Sequence, residues 1–280
     1  MLDPGAGLEE QVLGPFRTVR AGTGPVTVVF EAGMSACASE WVTVQRSVAK
    51  HTSTLAYDRA GYAGSAPTSK ARLLPDLAAD LESVLTAAGV DTPIVLVGHS
   101  WGCPIIREFV QTTTRPLAGV VLVDGTVSAV MTPKEAKLAA RVFSLMSALS
   151  PTGLHKPMIR ATVKPTNAMS AEDTAIVERD MLARSGVRTA AQEAKGLAAE
   201  QARLPELEKQ GFPANVPVTF VMGALPDRGQ AEMRSRFLAA TKEEADRIGA
   251  RYVVGQDSSH FVPQQEPQLV ADEILRLVDR

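Results

Sequence analysis

The chain has 280 residues and a formal net charge of −2, with 29 Lys+Arg against 31 Asp+Glu. That balance lacks the basic excess that neutralises a phosphate backbone, so nucleic acid is not an expected partner. A chain this long buries about three quarters of the surface its unfolded form exposes, so Cys37 and Cys103 need not staple the core. In chain order, residues 16–20 and 26–30 read as strands around the turn residues Gly22, Gly24 and Pro25. Residues 38–50 read as a helix and 54–57 as the next strand. After a Gly- and Ser-containing loop over 58–69, Leu74, Leu77, Leu81, Val84 and Leu85 keep a helical stripe that stops at Gly89. Residues 93–98 and 118–123 are strongly apolar strands on either side of a helix over 101–111. Their near-continuous Ile, Val and Leu content is that of parallel strands covered on both faces.

From 126 to 210 the residues are Ala, Lys, Glu, Arg, Met and Leu at helical spacing, broken at Pro151, Gly153, Pro157 and Pro165. This predicts a helical cap inserted into a core made of residues 1–125 and 211–280. Alternation resumes with a strand at 216–222, a helix over 229–248, a strand at 251–254 and a last helix, Pro267–Val278. The pattern predicts an α/β fold, a mostly parallel central sheet with helices on both faces. No apolar run approaches the roughly 20 residues of a membrane span. Residues 1–11 have neither the basic region nor the apolar stretch of a secretory signal, so a cytoplasmic protein is expected.

The chemistry is most visible at the end of the 93–98 strand, in Gly98-His99-Ser100-Trp101-Gly102. A Gly-x-Ser-x-Gly frame that follows an apolar strand and opens a helix is the setting of a nucleophile elbow, a tight turn that lifts the serine hydroxyl above the sheet edge. The plainer reading is a Gly-flanked turn whose serine only caps the helix. A serine hydroxyl needs a base to take its proton. Of the histidines, His51 lies where a helix runs into a strand, His99 lies in the elbow pointing away from the serine, and His155 lies in the cap. His260 remains, in the loop between the last strand and the last helix, at the carboxyl edge where ligands of open α/β sheets bind. The cysteines and histidines show no metal-ligand spacing, and no phosphate loop or dinucleotide fingerprint appears, so neither a metal nor a cofactor is expected.

With these landmarks in this order the chain resembles the α/β-hydrolase fold enzymes from about Phe16 to Val278. Glu31-Ala32-Gly33-Met34 stands where that family usually has His-Gly-x, and the resemblance implies an oxyanion hole from the Met34 and Trp101 backbone N–H groups. Asp58-Arg59-Ala60-Gly61-Tyr62-Ala63-Gly64-Ser65 looks like the family's loop after the fourth strand, and Asp58 is read as tying that turn. The acid that orients His260 has two candidates. Asp227 follows the strand after the cap, the commoner placement, but lies four residues after Gly223 where three is usual. Asp124, at the end of the 118–123 strand, matches the rarer placement without adjustment. Asp227 is placed slightly ahead.

Haloalkane dehalogenases and epoxide hydrolases of this fold carry Asp at the elbow, so Ser100 implies acyl transfer instead. The expected activity is a serine hydrolase that cleaves a small-molecule carboxylic ester or lactone with an apolar part, through an acyl-enzyme on Ser100. Met131, Phe143, Met146, Met158, Met169 and Met181 are candidate pocket walls, or residues that only hold the cap helices together. A non-catalytic small-molecule receptor and an acyltransferase are the competing readings of the same residues.

Overall fold

The computed structural model describes residues 7–69, 72–162, 168–227 and 229–280. Residues 1–6, Pro165 and the Met158 side chain, on which parts of the sequence reading fell, lie outside the described residues. The strands are β1 (Glu9–Leu13), β2 (Phe16–Ala21), β3 (Thr27–Glu31), β4 (Ser53–Tyr57), β5 (Ile94–His99), β6 (Leu117–Val123), β7 (Val218–Gly223) and β8 (Arg251–Gly255). The helices are α1 (Val42–Val48), α2 (Leu74–Ala87), α3 (Gly102–Thr112), α4 (Pro133–Leu149), α5 (His155–Thr162), α6 (Ala171–Met181), α7 (Arg184–Gln210), α8 (Ala231–Ile248), α9 (Val262–Gln265) and α10 (Pro267–Val278). A single-turn helix, Ala38–Trp41, leads into α1, so the continuous helix expected over 38–50 starts as a tighter turn.

One sheet runs in the order β1-β2-β4-β3-β5-β6-β7-β8. β2 is antiparallel to its neighbours, and from β4 to β8 every pairing is parallel. Successive residues of the central strands enter opposite cores, as the period of two requires. Val29, Leu96 and Leu122 pack on one face with residues of α2, α3 and α8. Val28, Val95, Val97 and Val121 pack on the other with residues of α1 and α10. This double cover produces the unbroken apolar runs read in β5 and β6.

β1 is absent from the sequence reading. Its Glu-Glu-Gln-Val-Leu composition is polar and its residues are largely exposed, as an edge strand allows, and its partner β2 supplies the order. Between β6 and β7 the described residues form no strand, only α4, α5, α6, α7 and one short 3₁₀ turn. Asp58 accepts hydrogen bonds from the Ala38 and Gly64 N–H groups and from Arg17, which fastens the loop after β4.

Candidate active site

Ser100 follows β5, Asp124 follows β6 and His260 lies in the loop after β8, and their side chains meet at the carboxyl edge of the sheet. At the turn from β5 into α3, Ser100 has a left-handed backbone, φ +52°. A non-glycine residue held there costs roughly 1–3 kcal/mol, which the surrounding packing must sustain. The flanking glycines make the turn possible. A Cβ on Gly102 would stand 2.4 Å from the Glu31 carbonyl oxygen, and one on Gly98 would stand 2.8 Å from Ile106 Cδ1. The Ser100 N–H donates to the Val123 carbonyl, and the Ser100 carbonyl accepts from Cys103 and Thr126.

Ser100 Oγ lies 3.0 Å from His260 Nε2, and His260 Nδ1 lies 2.7 Å from Asp124 Oδ2. The acid beside the histidine is therefore Asp124, whereas the sequence placed Asp227 slightly ahead. Asp227 stands on the wall of the adjacent cavity and does not meet the imidazole. Asp227 lies four residues beyond the end of β7, while the β6/β7 register sets Val123 beside Val221 and brings Asp124 to Gly223.

Asp124 is fully buried, and its other oxygen, Oδ1, accepts from Arg234 of α8 at 2.7 Å and from the Gly223 N–H at 3.1 Å. Burial opposes its charge, but the hydrogen bonds and charges of His260 and Arg234 outweigh that and hold the carboxyl below the ordinary carboxylate range. The loop carrying His260 is fastened by side chains just beyond it. Glu266 accepts from the Ser258 hydroxyl and the Asp257 N–H, and Gln265 accepts from the Ser259 N–H at 2.7 Å. A Cβ on Gly223 would lie 2.0 Å from the Ser259 carbonyl oxygen, so this loop seats directly on β7.

On the β3 side, the N–H groups of Gly33 and Ser35 are taken by Glu40 and the Tyr62 hydroxyl. The intervening Met34 N–H, like that of Trp101 at the start of α3, has no hydrogen-bond partner among the described residues. Both remain available as donors.

A cavity of about 280 Å³ opens beside Ser100 and His260. Val130, Met131, Met233 and Phe237 supply its apolar wall, with Asp227 and Glu135 also on the lining. Of the cap residues expected to form pocket walls, Met131 lines this cavity. Met146, Met169 and Met181 pack instead with Val42, Ile159 and Val177, and Phe143 packs with Cys37 and Tyr62. Helical spacing gives which residues are apolar, not which face a helix turns inward. Sequence reasoning also missed Arg234 and Glu40. Neither lies in a local motif, and each meets its partner across a long stretch of chain. Among the described residues no group of His, Cys, Asp and Glu side chains is placed to hold a metal ion, and no helix is long and apolar enough to cross a membrane.

A mostly parallel sheet with a serine, a histidine and an aspartate in one hydrogen-bonded line at its carboxyl edge defines the class of protein. The alpha/beta hydrolase family model matches residues 28–273, and the chain belongs to that family. An AB hydrolase superfamily protein of Gibberella zeae is 26% identical, in an alignment spanning 95% of this chain and 89% of that one. The uncharacterized protein YqjL of Bacillus subtilis is 32% identical over 105 residues, and that match spans 42% of its length. Among solved structures, a laboratory-evolved variant of potato epoxide hydrolase superposes with a TM-score of 0.76 at 16% identity, covering 98% of this chain and 99% of that one. A mutant of Vigna radiata epoxide hydrolase gives 0.73 at 15% identity, covering 98% of each. At such identity the likeness establishes the fold.

Proposed function

We propose that this hydrolase-family protein is a serine hydrolase that cleaves a small carboxylic ester or lactone with an apolar part. The observation that carries the reading is the continuous line Ser100 Oγ to His260 Nε2 at 3.0 Å and His260 Nδ1 to Asp124 Oδ2 at 2.7 Å. His260 takes the Ser100 proton as Oγ attacks the ester carbonyl, and Asp124 accepts the second imidazole N–H and stabilises the imidazolium that forms. The Met34 and Trp101 N–H groups receive the charge that develops on the carbonyl oxygen, each worth roughly 3–4 kcal/mol of barrier. His260 then returns the proton to the leaving alkoxide. A water deprotonated by the same imidazole attacks the acyl-enzyme, which releases the acid and restores Ser100.

The elbow residue speaks against epoxide opening, because the epoxide hydrolases of this fold are expected to use an aspartate there and this chain has Ser100. The cavity volume, just below the roughly 300–1,000 Å³ of ligand pockets, supports a small substrate, and its Met and Phe wall supports an apolar part. Short-chain aryl esters test the reading. The protein is expected to turn them over and to be labelled by an organophosphonate at Ser100, while folded Ser100→Ala does neither. Full activity in Ser100→Ala would end the proposal. Product analysis with added alcohol distinguishes hydrolysis from acyl transfer on the same residues.

A further inference from the structure

One buried pair beside this site takes no part in that scheme. Glu40, in the single-turn helix before α1, and His99, the residue preceding the nucleophile, are each 2% exposed. His99 Nδ1 lies 2.8 Å from Glu40 Oε1, and His99 Nε2 lies 2.8 Å from the backbone carbonyl oxygen of His260. The other Glu40 oxygen, Oε2, accepts the Gly33 N–H at 3.0 Å. The partners constrain the protons. A carbonyl oxygen has none to give, so His99 Nε2 must carry one. The Gly33 N–H likewise requires a lone pair on Oε2. One proton remains between Nδ1 and Oε1, and it decides whether the pair is charged.

Burial presses against charge on both groups. The charge and hydrogen bond of Glu40 outweigh it at His99, which titrates above an ordinary histidine, and His99 with the Gly33 N–H holds Glu40 below an ordinary carboxylate. With the remaining proton on the ring, the pair is a carboxylate against an imidazolium.

We propose that Glu40 and His99 form a buried ion pair that positions three parts of the site at once. It holds the oxyanion turn through the Gly33 N–H, the elbow through the His99 backbone next to Ser100, and the base through the His260 carbonyl. This rests on the reading of Ser100 as nucleophile and His260 as base. Neither member touches the reacting atoms, so both are positioning residues. The His99 and His260 rings stand 4.8 Å apart between centroids. Also bearing on these two rings are Asp124 and the Ser100 hydroxyl against His260, Arg234 behind Asp124, the Phe261 ring 5.5 Å from His260, and the edge-on Trp41 ring 6.4 Å from His99. A buried ion pair is a poor device for stability, since well-packed apolar residues often serve as well. It is a good device for geometry, because each of its hydrogen bonds ends on a different catalytic segment.

The test combines ring-nitrogen NMR with variants matched to the two imidazole nitrogens. In the wild-type protein at neutral pH both His99 nitrogens are expected to be protonated, and Glu40→Gln is expected to return the ring to the neutral form. His99→Asn leaves an amide near the Nδ1 position and loses the reach to His260. It should lower kcat on an aryl ester by about 10–100-fold with KM little changed, as a displacement of order 1 Å of a reacting group does. His99→Gln leaves an amide near the Nε2 position that can still donate to the His260 carbonyl, and should recover most of kcat. A neutral His99 ring in the wild-type protein would overturn the ion pair. Folded His99→Asn with wild-type kcat, or His99→Gln no better than His99→Asn, would overturn the positioning role. Should the wild-type protein neither hydrolyse the ester nor label at Ser100, the catalytic reading fails instead, and the ring shifts still decide the charge on His99.

Discussion

Asp124 carries more contacts than its proposed role as the acid requires. Oδ2 faces His260, while Oδ1 is held by Arg234 and the Gly223 N–H, so the carboxylate cannot rotate away from the imidazole. Asp124→Asn can hold the wrong histidine tautomer, and the comparable change in a serine protease lowers turnover by about 10⁴-fold. A loss of that order is expected for Asp124→Asn at saturating ester, against a near-normal rate for Asp227→Asn. The opposite split would restore Asp227 as the acid. Arg234→Gln removes one of the influences holding Asp124 below the ordinary carboxylate range. The Asp124 carboxyl then gains its proton at higher pH, so activity should begin to fall earlier on acidification than in the wild-type protein. Profiles of kcat against pH for the two proteins, superimposed after scaling, would refute that assignment.

Local elements set the site through close backbone approaches. The left-handed backbone of Ser100 and of Asp124, φ +52° and +43°, turns both side chains out at the ends of adjacent strands, β5 and β6. Gly223 then admits the histidine loop to the end of β7. Because the clash built by Gly223→Ala is with backbone oxygens, at 2.0 Å from Ser259 and 2.7 Å from Ser258, no side-chain rotation relieves it. The loop must shift, and a shift of about 1 Å at His260 costs roughly 100-fold in rate. Steady-state kinetics of folded Gly223→Ala should show that loss in kcat, and a rate within a few-fold of wild type would mean that the loop adapts elsewhere.

At the scale of the whole molecule, buried charge fastens the helices between β6 and β7 to the sheet. Arg59 bridges Glu31 of β3 and Glu193 of α7 at 2.8 and 3.0 Å, and Arg72 and the Tyr62 hydroxyl also donate to Glu193, each at 2.9 Å. Arg17 of β2 similarly joins Asp58 and Asp180 of α6. Glu193→Gln leaves Arg59 and Arg72 undercompensated, and removing one member of a buried pair typically costs about 3–5 kcal/mol. Urea unfolding should read a loss of that order, and a change under about 1 kcal/mol would mean that water or Glu31 takes over. Burial opposes the Glu193 charge, but Arg59 and Arg72 outweigh it and hold the carboxyl below its ordinary range. Its contribution to stability is therefore present above the unfolded carboxylate value and is lost as pH falls through the lower folded one. The melting temperature of Glu193→Gln should accordingly decline less on acidification than that of the wild-type protein.

The sequence by itself determined the α/β alternation and the tight turn at Ser100, and it singled out His260, which the fold sets 3.0 Å from Ser100, because these are written in short-range signals: doubly covered strands, glycines two residues either side of a serine, and elimination among four histidines. It missed β1, whose order comes from pairing with β2 rather than from its own composition. Only the tertiary structure placed Asp124 rather than Asp227 against His260, since that depends on where β6 and β7 end relative to one another. The same holds for Arg234, for Glu40 behind His99, and for a cavity wall that took Met131 and Phe237 but not Met146. Those side chains meet across 59 or more residues, as with Glu40 and His99, or sit on helix faces whose orientation is fixed only when the whole core packs.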